Sequence, residues 1–155
     1  MDLILWRHAE AQDADGSDDL QRALTRKGHR QARRVAEWLA GRLAGSTCTL
    51  VSPALRCQQT AQALKLGFRT LDALGPDASP QAVLEAVGWP DAREPVLVVG
   101  HQPTLGVLAA RLMGAPAAAW SVRKAAVWWL RGESEASHGA APRVMLRAVI
   151  GPDLL

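Results

Sequence analysis

Two uninterrupted apolar runs each stop just short of a histidine. Leu3–Trp6 leads through Arg7 to His8, and Pro95–Val99 leads through Gly100 to His101. A short apolar run without polar alternation reads as a strand covered on both faces. Helical stretches lie between such runs along most of the chain, so the pattern predicts a mostly parallel sheet whose strands are joined by helices. In such sheets the groups that carry chemistry collect beyond the carboxyl ends of the strands. His8 and His101 both fall there.

The remaining elements follow from spacing and punctuation. Thr25 precedes a helix on which Ala32, Val35, Trp38, Leu39 and Leu43 share one face, with Arg33, Arg34, Glu37 and Arg42 opposite and Gly45 as its stop. Thr47–Val51 is the second strand. Ser52 and Pro53 then read as the cap and first position of a helix running to Lys65 and ended by Gly67. Phe68–Leu71 is a short third strand, and Ser79–Pro80 opens a helix that ends near Val87. Pro103–Met113 is the fourth helix, closed by Gly114 and Pro116. Ala125–Leu130 and Arg143–Ile150 read as late strands. The acidic stretch Ala11–Arg22, with Asp13, Asp15, Asp18 and Asp19, reads as a surface loop. The expected fold is α/β, a three-layer sandwich with a mostly parallel central sheet and helices on both faces. The 155 residues suit one domain spanning 1–155.

Three segments carry residues suited to a phosphoryl group. In Arg7–His8, an imidazole with an unprotonated nitrogen can attack phosphorus. The adjacent guanidinium can hold phosphate oxygens through several donors. A nearby carbonyl or carboxylate is expected to fix the His8 tautomer. In Ser52-Pro53-Ala54-Leu55-Arg56, Arg56 falls in the first helical turn, where the helix dipole disfavours a cation. A bound anion would account for it, because free backbone N–H groups gather at the same end. In Val99-Gly100-His101-Gln102-Pro103, a histidine stands between a buried strand and a helix start, and Gly100 permits a tight turn. Taken singly, each segment also has a plain structural reading: a polar strand end, a surface arginine paired with a carboxylate, a histidine satisfied within the fold.

Other chemistries fail on spacing. A cysteine-dependent phosphatase needs an arginine six residues after its cysteine, and those positions after Cys48 and Cys57 hold Ala54 and Ala63. His8-Ala9-Glu10 spells part of a zinc deaminase signature, but the partner P-C-x-x-C is missing. Phosphate-loop, dinucleotide and nucleophile-elbow patterns are missing too. Four histidines without close pairing argue against a resident metal. His29 is expected on an exposed helix face, and His138 in a turn beside the segment 139–142. No cofactor is expected. The net charge of +3 is too mild to argue for nucleic acid, yet it does not repel an anionic substrate. Two cysteines, no basic leader and no long apolar span point to a reduced, cytoplasmic protein off the membrane. Nothing calls for more than a monomer.

In combination and order, these segments resemble the histidine phosphatase superfamily, most of all its short bacterial branch, the protein phosphohistidine phosphatases. Arg7-His8-Ala9 is similar to the superfamily's Arg-His-Gly, with an alanine common in that branch. Leu24-Thr25-Arg26-Lys27-Gly28-His29-Arg30-Gln31-Ala32 resembles its Leu-Thr-x-x-Gly-x-x-Gln-Ala. Ser52-Pro53-Ala54-Leu55-Arg56-Cys57-Gln58-Gln59-Thr60-Ala61 resembles its Ser-Pro-x-x-Arg-x-x-Gln-Thr-Ala. Val98-Val99-Gly100-His101-Gln102-Pro103 resembles its late Gly-His segment. The resemblance covers nearly the whole chain. It implies a phosphoglycerate mutase-like fold and a metal-independent phosphatase. It further implies His8 as the nucleophile that becomes phosphorylated, with Arg7, Arg56 and His101 binding the phosphoryl oxygens. The implied partner is a phosphorylated protein, a histidine phosphotransfer or phosphocarrier protein. Val51 departs from the pattern, where a second small polar residue is more usual, and is expected at the sheet or pocket edge. Val122-Arg123-Lys124-Ala125 is only loosely similar, so Lys124 receives no role from it.

The leaving group separates the possible substrates. An alkoxide leaves poorly unless an acid protonates it, and the larger members of the superfamily place a glutamate shortly after the third strand. Here Phe68–Asp77 contains no glutamate, and its carboxylates are Asp72 and Asp77. Glu10 and Asp18 lie nearer His8 in sequence. An imidazole bound to phosphorus can already be protonated on its other nitrogen, so a site without a dedicated acid favours P–N over alkyl P–O cleavage. The alternatives are a small-molecule phosphomonoesterase or mutase on the same site, and a non-catalytic phosphate-binding domain.

Overall fold

The computed structural model describes residues 1–115, 118–133 and 143–155. Pro116, expected to close the fourth helix, and His138 with its expected turn lie outside the described residues. Strands β1 (Asp2–Arg7), β2 (Cys48–Val51), β3 (Arg69–Thr70), β4 (Val96–Gly100), β5 (Val127–Gly132) and β6 (Val144–Ile150) form one sheet in the order β3-β2-β4-β1-β5-β6. β1 to β4 run parallel, and β5 is antiparallel to both of its neighbours. Helices α1 (Arg26–Ala40), α2 (Leu55–Gln62), α3 (Pro80–Val87) and α4 (Thr104–Leu112) complete the expected α/β sandwich.

Side-chain alternation along β1 assigns the helices to the two faces. Ile4 and Trp6 join a core with Val35 and Leu39 of α1 and Cys57 and Ala61 of α2. Leu3 and Leu5 join another with Val83 and Val87 of α3 and Leu105 and Leu108 of α4. All four strand residues are fully buried, which is why the run shows no polar alternation.

Several expected boundaries move. α1 is capped by Thr25, whose hydroxyl accepts from Gly28 N at 3.0 Å, but it ends at Ala40 rather than at Gly45. Arg42 N and Leu43 N both turn back to Leu39 O there, while Leu43 still packs on the core. α2 begins at Leu55 and has no side-chain cap, so Ser52 is not its N-cap. The Ser52 hydroxyl instead closes a tight turn onto Ala54 N and meets His101. α2 ends at Gln62, and Lys65, at φ +55°, makes the reversal expected of Gly67. β3 shrinks to two residues. β5 starts at Val127 because Ala125 sits at φ +59°, outside any strand conformation. α3 matches expectation, capped by Ser79 and ended by Gly88 at φ +61°. Val51 is fully buried in the core between the sheet and α1 and α2.

Strand order explains where the site forms. β1 and β4 are neighbours with Arg7 beside Gly100 in register, so His8 and His101 leave the sheet side by side. His8 N donates to Gly100 O at 3.0 Å. β2 flanks β4 on its other side, and Ser52 N donates to Val99 O at 3.1 Å. The carboxyl ends of three adjacent strands thus deliver Ser52, His101 and His8 in a row.

Candidate active site

His8 is buried, and its Nδ1 lies 2.8 Å from Ala9 O. A carbonyl only accepts, so Nδ1 carries the proton and Nε2 keeps a free lone pair. The expected tautomer lock is therefore a main-chain carbonyl. That carbonyl is itself held. Gln31 Oε1, on α1, accepts from Glu10 N at 3.0 Å. Glu10 N and Ala9 O belong to one peptide unit, so Gln31 polarises the group that takes the His8 proton. The Thr60 hydroxyl accepts from Ala9 N at 3.0 Å and donates to Arg56 O at 2.7 Å. Gly28 lets α1 approach: a Cβ there would stand 1.9 Å from Glu10 O, the carbonyl that also accepts from Thr25 N at 3.0 Å. Burial lowers the His8 pKa to about 4, with Arg56, Arg7 and Arg22 adding to the shift against the opposing pull of the Ala9 carbonyl. The imidazole is neutral at physiological pH.

Arg56 is 3% exposed on the first turn of α2, as the sequence indicated. Its Nη1 donates to Asp19 O at 2.8 Å and its Nη2 to Asp19 Oδ2 at 3.0 Å. Asp19 sits in a 3-10 turn, Asp19–Gln21, within the stretch read as a plain surface loop, and its other oxygen takes Arg22 Nε at 2.8 Å. Arg22 and then Arg56 hold this carboxyl below the usual range. Arg7 Nη1 donates to Val122 O at 2.9 Å. The Nε groups of Arg7 and Arg56 are both buried with no hydrogen-bond partner. A buried guanidinium donor without an acceptor suits an anion.

His101 lies beside His8 and is 4% exposed. Arg56 Nη2 approaches its Nδ1 at 3.5 Å, and Ser52 Oγ lies 2.7 Å from its Nε2. A guanidinium nitrogen only donates, so Nδ1 accepts and Nε2–H donates to Ser52. Burial, then His8 and Arg56, depress the His101 pKa to about 3, leaving the ring neutral in this state. The neighbouring Cys57 thiol is also uncharged, since burial pushes it up to about 12. Cys48 and Cys57 are both free.

The four candidates Arg7, His8, Arg56 and His101 thus converge. Sequence reasoning missed Asp19, Arg22, Gln31 and Ser52. Gln31 and Ser52 stood inside the quoted motifs without a function, and the spacing of Asp19 and Arg22 is the i, i+3 signal of a pair on one turn. The carboxylates near His8 in sequence are committed elsewhere. Glu10 takes Thr25 Oγ1 at 2.9 Å and Lys27 Nζ at 3.3 Å, and Asp18 caps the 3-10 turn through Leu20 N. Asp72 and Asp77 are exposed and line a cleft of about 930 Å³ with Asp19 and Pro53. A second cleft of about 420 Å³ is lined by Arg7, Glu10, Lys27, Arg123 and Lys124, among others. His29 is exposed, as expected. Among the described residues no group of three His, Cys, Asp or Glu is placed to hold a metal, and no helix is long and apolar enough to cross a membrane.

The sequence and fold are similar to those of known phosphatases. Residues 3–74 match the profile of the histidine phosphatase superfamily, branch 1. Over 121 residues the chain is 31% identical to the phosphohistidine phosphatase SixA of Escherichia coli strain K12, covering 72% of this chain and 74% of that protein. A structure of SixA in complex with tungstate superposes with a TM-score of 0.79 at 25% identity, over 99% of this chain and 98% of that one. A candidate phosphohistidine phosphatase SixA from Nakamurella multipartitia gives 0.81 at 26% identity, over 97% of this chain and 95% of that one.

Proposed function

The chain belongs to the histidine phosphatase superfamily, and from that premise we propose that it removes the phosphoryl group from phosphohistidine on a protein through a phospho-His8 intermediate. It is a phosphatase, a phosphoric hydrolase, of mixed α/β fold. The observation that carries the proposal is the state of His8: neutral, with Nδ1–H committed to a carbonyl and Nε2 free, beside two guanidinium groups with unpartnered Nε donors.

In the first step His8 Nε2 forms a bond to phosphorus as the bond to the departing imidazole breaks, in line. The departing ring keeps the electron pair, and a proton on its other nitrogen makes it a neutral leaving group. Negative charge on the three equatorial oxygens is met by Arg7, Arg56 and a His101 protonated on Nδ1. In the second step water attacks phospho-His8, releasing inorganic phosphate and restoring the neutral imidazole. Cationic side chains supply the positive field, so the scheme needs no metal. SixA, of the same fold, is known as a tungstate complex. Tungstate is a tetrahedral oxyanion, and such a group is expected here between Arg7, Arg56 and His101.

The carboxylates support P–N cleavage. Asp19 is held ionised by two arginines and cannot act as an acid at neutral pH. Glu10 is tied to Thr25 and Lys27. A site so arranged suits a leaving group that brings its own proton. The expected setting is the reduced cytoplasm, with the chain acting as one domain on a phosphorylated protein. The test compares phosphohistidine protein, an aryl phosphate and an alkyl phosphate in the parent, H8A, D72N and D77N enzymes. Expected are a preference in that order, no turnover or phosphoenzyme in H8A, and changes under about tenfold in phosphohistidine turnover for either Asp variant. Equal alkyl and phosphohistidine turnover, with the alkyl activity removed by one Asp variant, would move the enzyme to phosphomonoesters.

A further inference from the structure

The segment before β5 is tied to the carboxyl ends of β1 and β4. Gln102 Nε2 donates to Trp120 O at 2.8 Å, and Arg7 Nη1 to Val122 O at 2.9 Å. Ala125 N donates to His8 O at 3.1 Å, and Trp6 Nε1 to Ala125 O at 3.0 Å. Within this stretch Ala125 is fully buried at φ +59°, a left-handed conformation that disfavours a residue with a Cβ. Such backbone persists where surrounding bonds over-determine it, and it gathers at functional sites. The result is a fixed loop that carries Arg123 and Lys124 on the rim of the cleft that Arg7 also lines.

The cations of that cleft are not equivalent. Lys27 is paired with Glu10 at 3.3 Å, and Arg123 with Asp153 at 3.1 Å. Lys124 is exposed and forms no ion pair of that length among the described residues, though its charge is felt at Glu10. With Arg7, Lys27, Arg123 and Lys124 against Glu10 and Asp153, the cleft carries a surplus of positive charge directly beside the phosphoryl site.

We infer that Lys124 is a specificity-determining residue, binding a carboxylate that neighbours the phosphohistidine on the protein substrate. This deepens the proposed function and rests on it. Arg7 marks where the phosphoryl group ends and the cleft begins. An acidic side chain adjacent to the phosphohistidine would lie in that cleft and meet the one rim cation without a carboxylate of its own. The fixed loop holds the Lys124 backbone beside the cleft, while its exposed side chain still bears the ordering entropy of a surface ion pair, so a modest effect is expected.

The experiment uses two synthetic peptides, chemically phosphorylated on a single histidine, that differ only in flanking it with Asp or with Asn. kcat/KM is measured for parent, K124Q, K124R and K124E enzymes at low and high salt. The parent is expected to favour the Asp peptide by roughly two- to fivefold, the size of a favourable exposed ion pair. K124Q should erase that ratio, K124E invert it, K124R retain it, and salt should weaken it. A parent ratio of one, or a ratio unchanged in K124Q, overturns the inference while leaving the phosphatase reading intact. If neither peptide is hydrolysed but 4-nitrophenyl phosphate is, the phosphohistidine reading falls, and inhibition of that hydrolysis decides the site. Inhibition by pyrophosphate, which carries a second anionic group, must then weaken more in K124Q than inhibition by inorganic phosphate. Equal weakening overturns it.

Discussion

His8 and His101 stand with ring centroids 5.3 Å apart and planes inclined at 57°, and neither ring is charged at neutral pH. Each withdrew its proton for the same reasons, burial and neighbouring positive charge. An arriving oxyanion removes the second reason, because its negative charge favours the imidazolium. His8 Nδ1 already donates to Ala9 O and its remaining nitrogen, Nε2, is the one that attacks phosphorus, whereas His101 Nδ1 is an acceptor that a proton would convert into a donor. Binding of tungstate or phosphate at pH 7 is therefore expected to take up as much as one proton. Titration calorimetry in buffers of different ionisation heat measures it. Uptake that persists undiminished in H101Q would locate the proton on another group.

The same pair sets how stability depends on acidity. The folded pKa values, about 4 and about 3, lie below the value of 6.5 for an unperturbed histidine. Between those limits the unfolded chain binds more protons than the folded one, so stability rises with pH there. It should be fully present above pH 6.5 and decline as pH falls toward about 4 for His8 and about 3 for His101. Urea midpoints at pH 7.5, 6 and 5 should fall in the parent and fall less steeply in H101Q. Equal slopes would mean that His101 is not buried neutral.

Arg56 is expected to act in the transition state. R56A should lower kcat/KM by roughly two to four orders of magnitude, and R56K should rescue poorly because an ammonium lacks the planar fork of donors. D19A removes Oδ2 as a partner but leaves the Asp19 carbonyl to Nη1, so its loss should be nearer fivefold, that of one hydrogen bond. Activity in R56K equal to the parent would rule out the fork.

Gln31 should influence the rate of phosphoenzyme formation without touching substrate phosphate. Q31L deprives Glu10 N of its acceptor and loosens the peptide that orients His8. A drop of roughly two- to tenfold in the burst rate is expected, with KM for an aryl phosphate little changed. Q31E keeps the acceptor and should restore most of the rate. A drop confined to KM would place Gln31 in substrate binding instead.

Much of this was legible in the sequence because it depends on short-range pattern. The apolar runs ending at Arg7–His8 and Gly100–His101 placed both histidines at strand ends, and the structure adds that β1 and β4 are neighbours. Arg56 was flagged by being a cation in the first turn of its helix. What escaped depends on contacts between distant segments. Asp19 reads as one more loop aspartate until α2 brings Arg56 to it. Ser52 looked like a helix cap because Ser-Pro is a common helix opening, and only strand order reveals His101 as its competing partner. Gln31 acts on His8 through a peptide unit, and no side-chain pattern records that.

Because the His8 proton is held by Ala9 O, the atom that fixes the imidazole tautomer belongs to the main chain and not to any side chain. Every amino acid inserted at residue 9 brings the same carbonyl. Larger ones would crowd a site where Ala9 is wholly buried, so a mutational screen there would report failures of packing and attribute them to catalysis. The atom itself can be altered only by protein synthesis with a changed backbone. Lineages of this enzyme can therefore diverge at residue 9, as far as its side-chain volume allows, and still inherit the same imidazole tautomer.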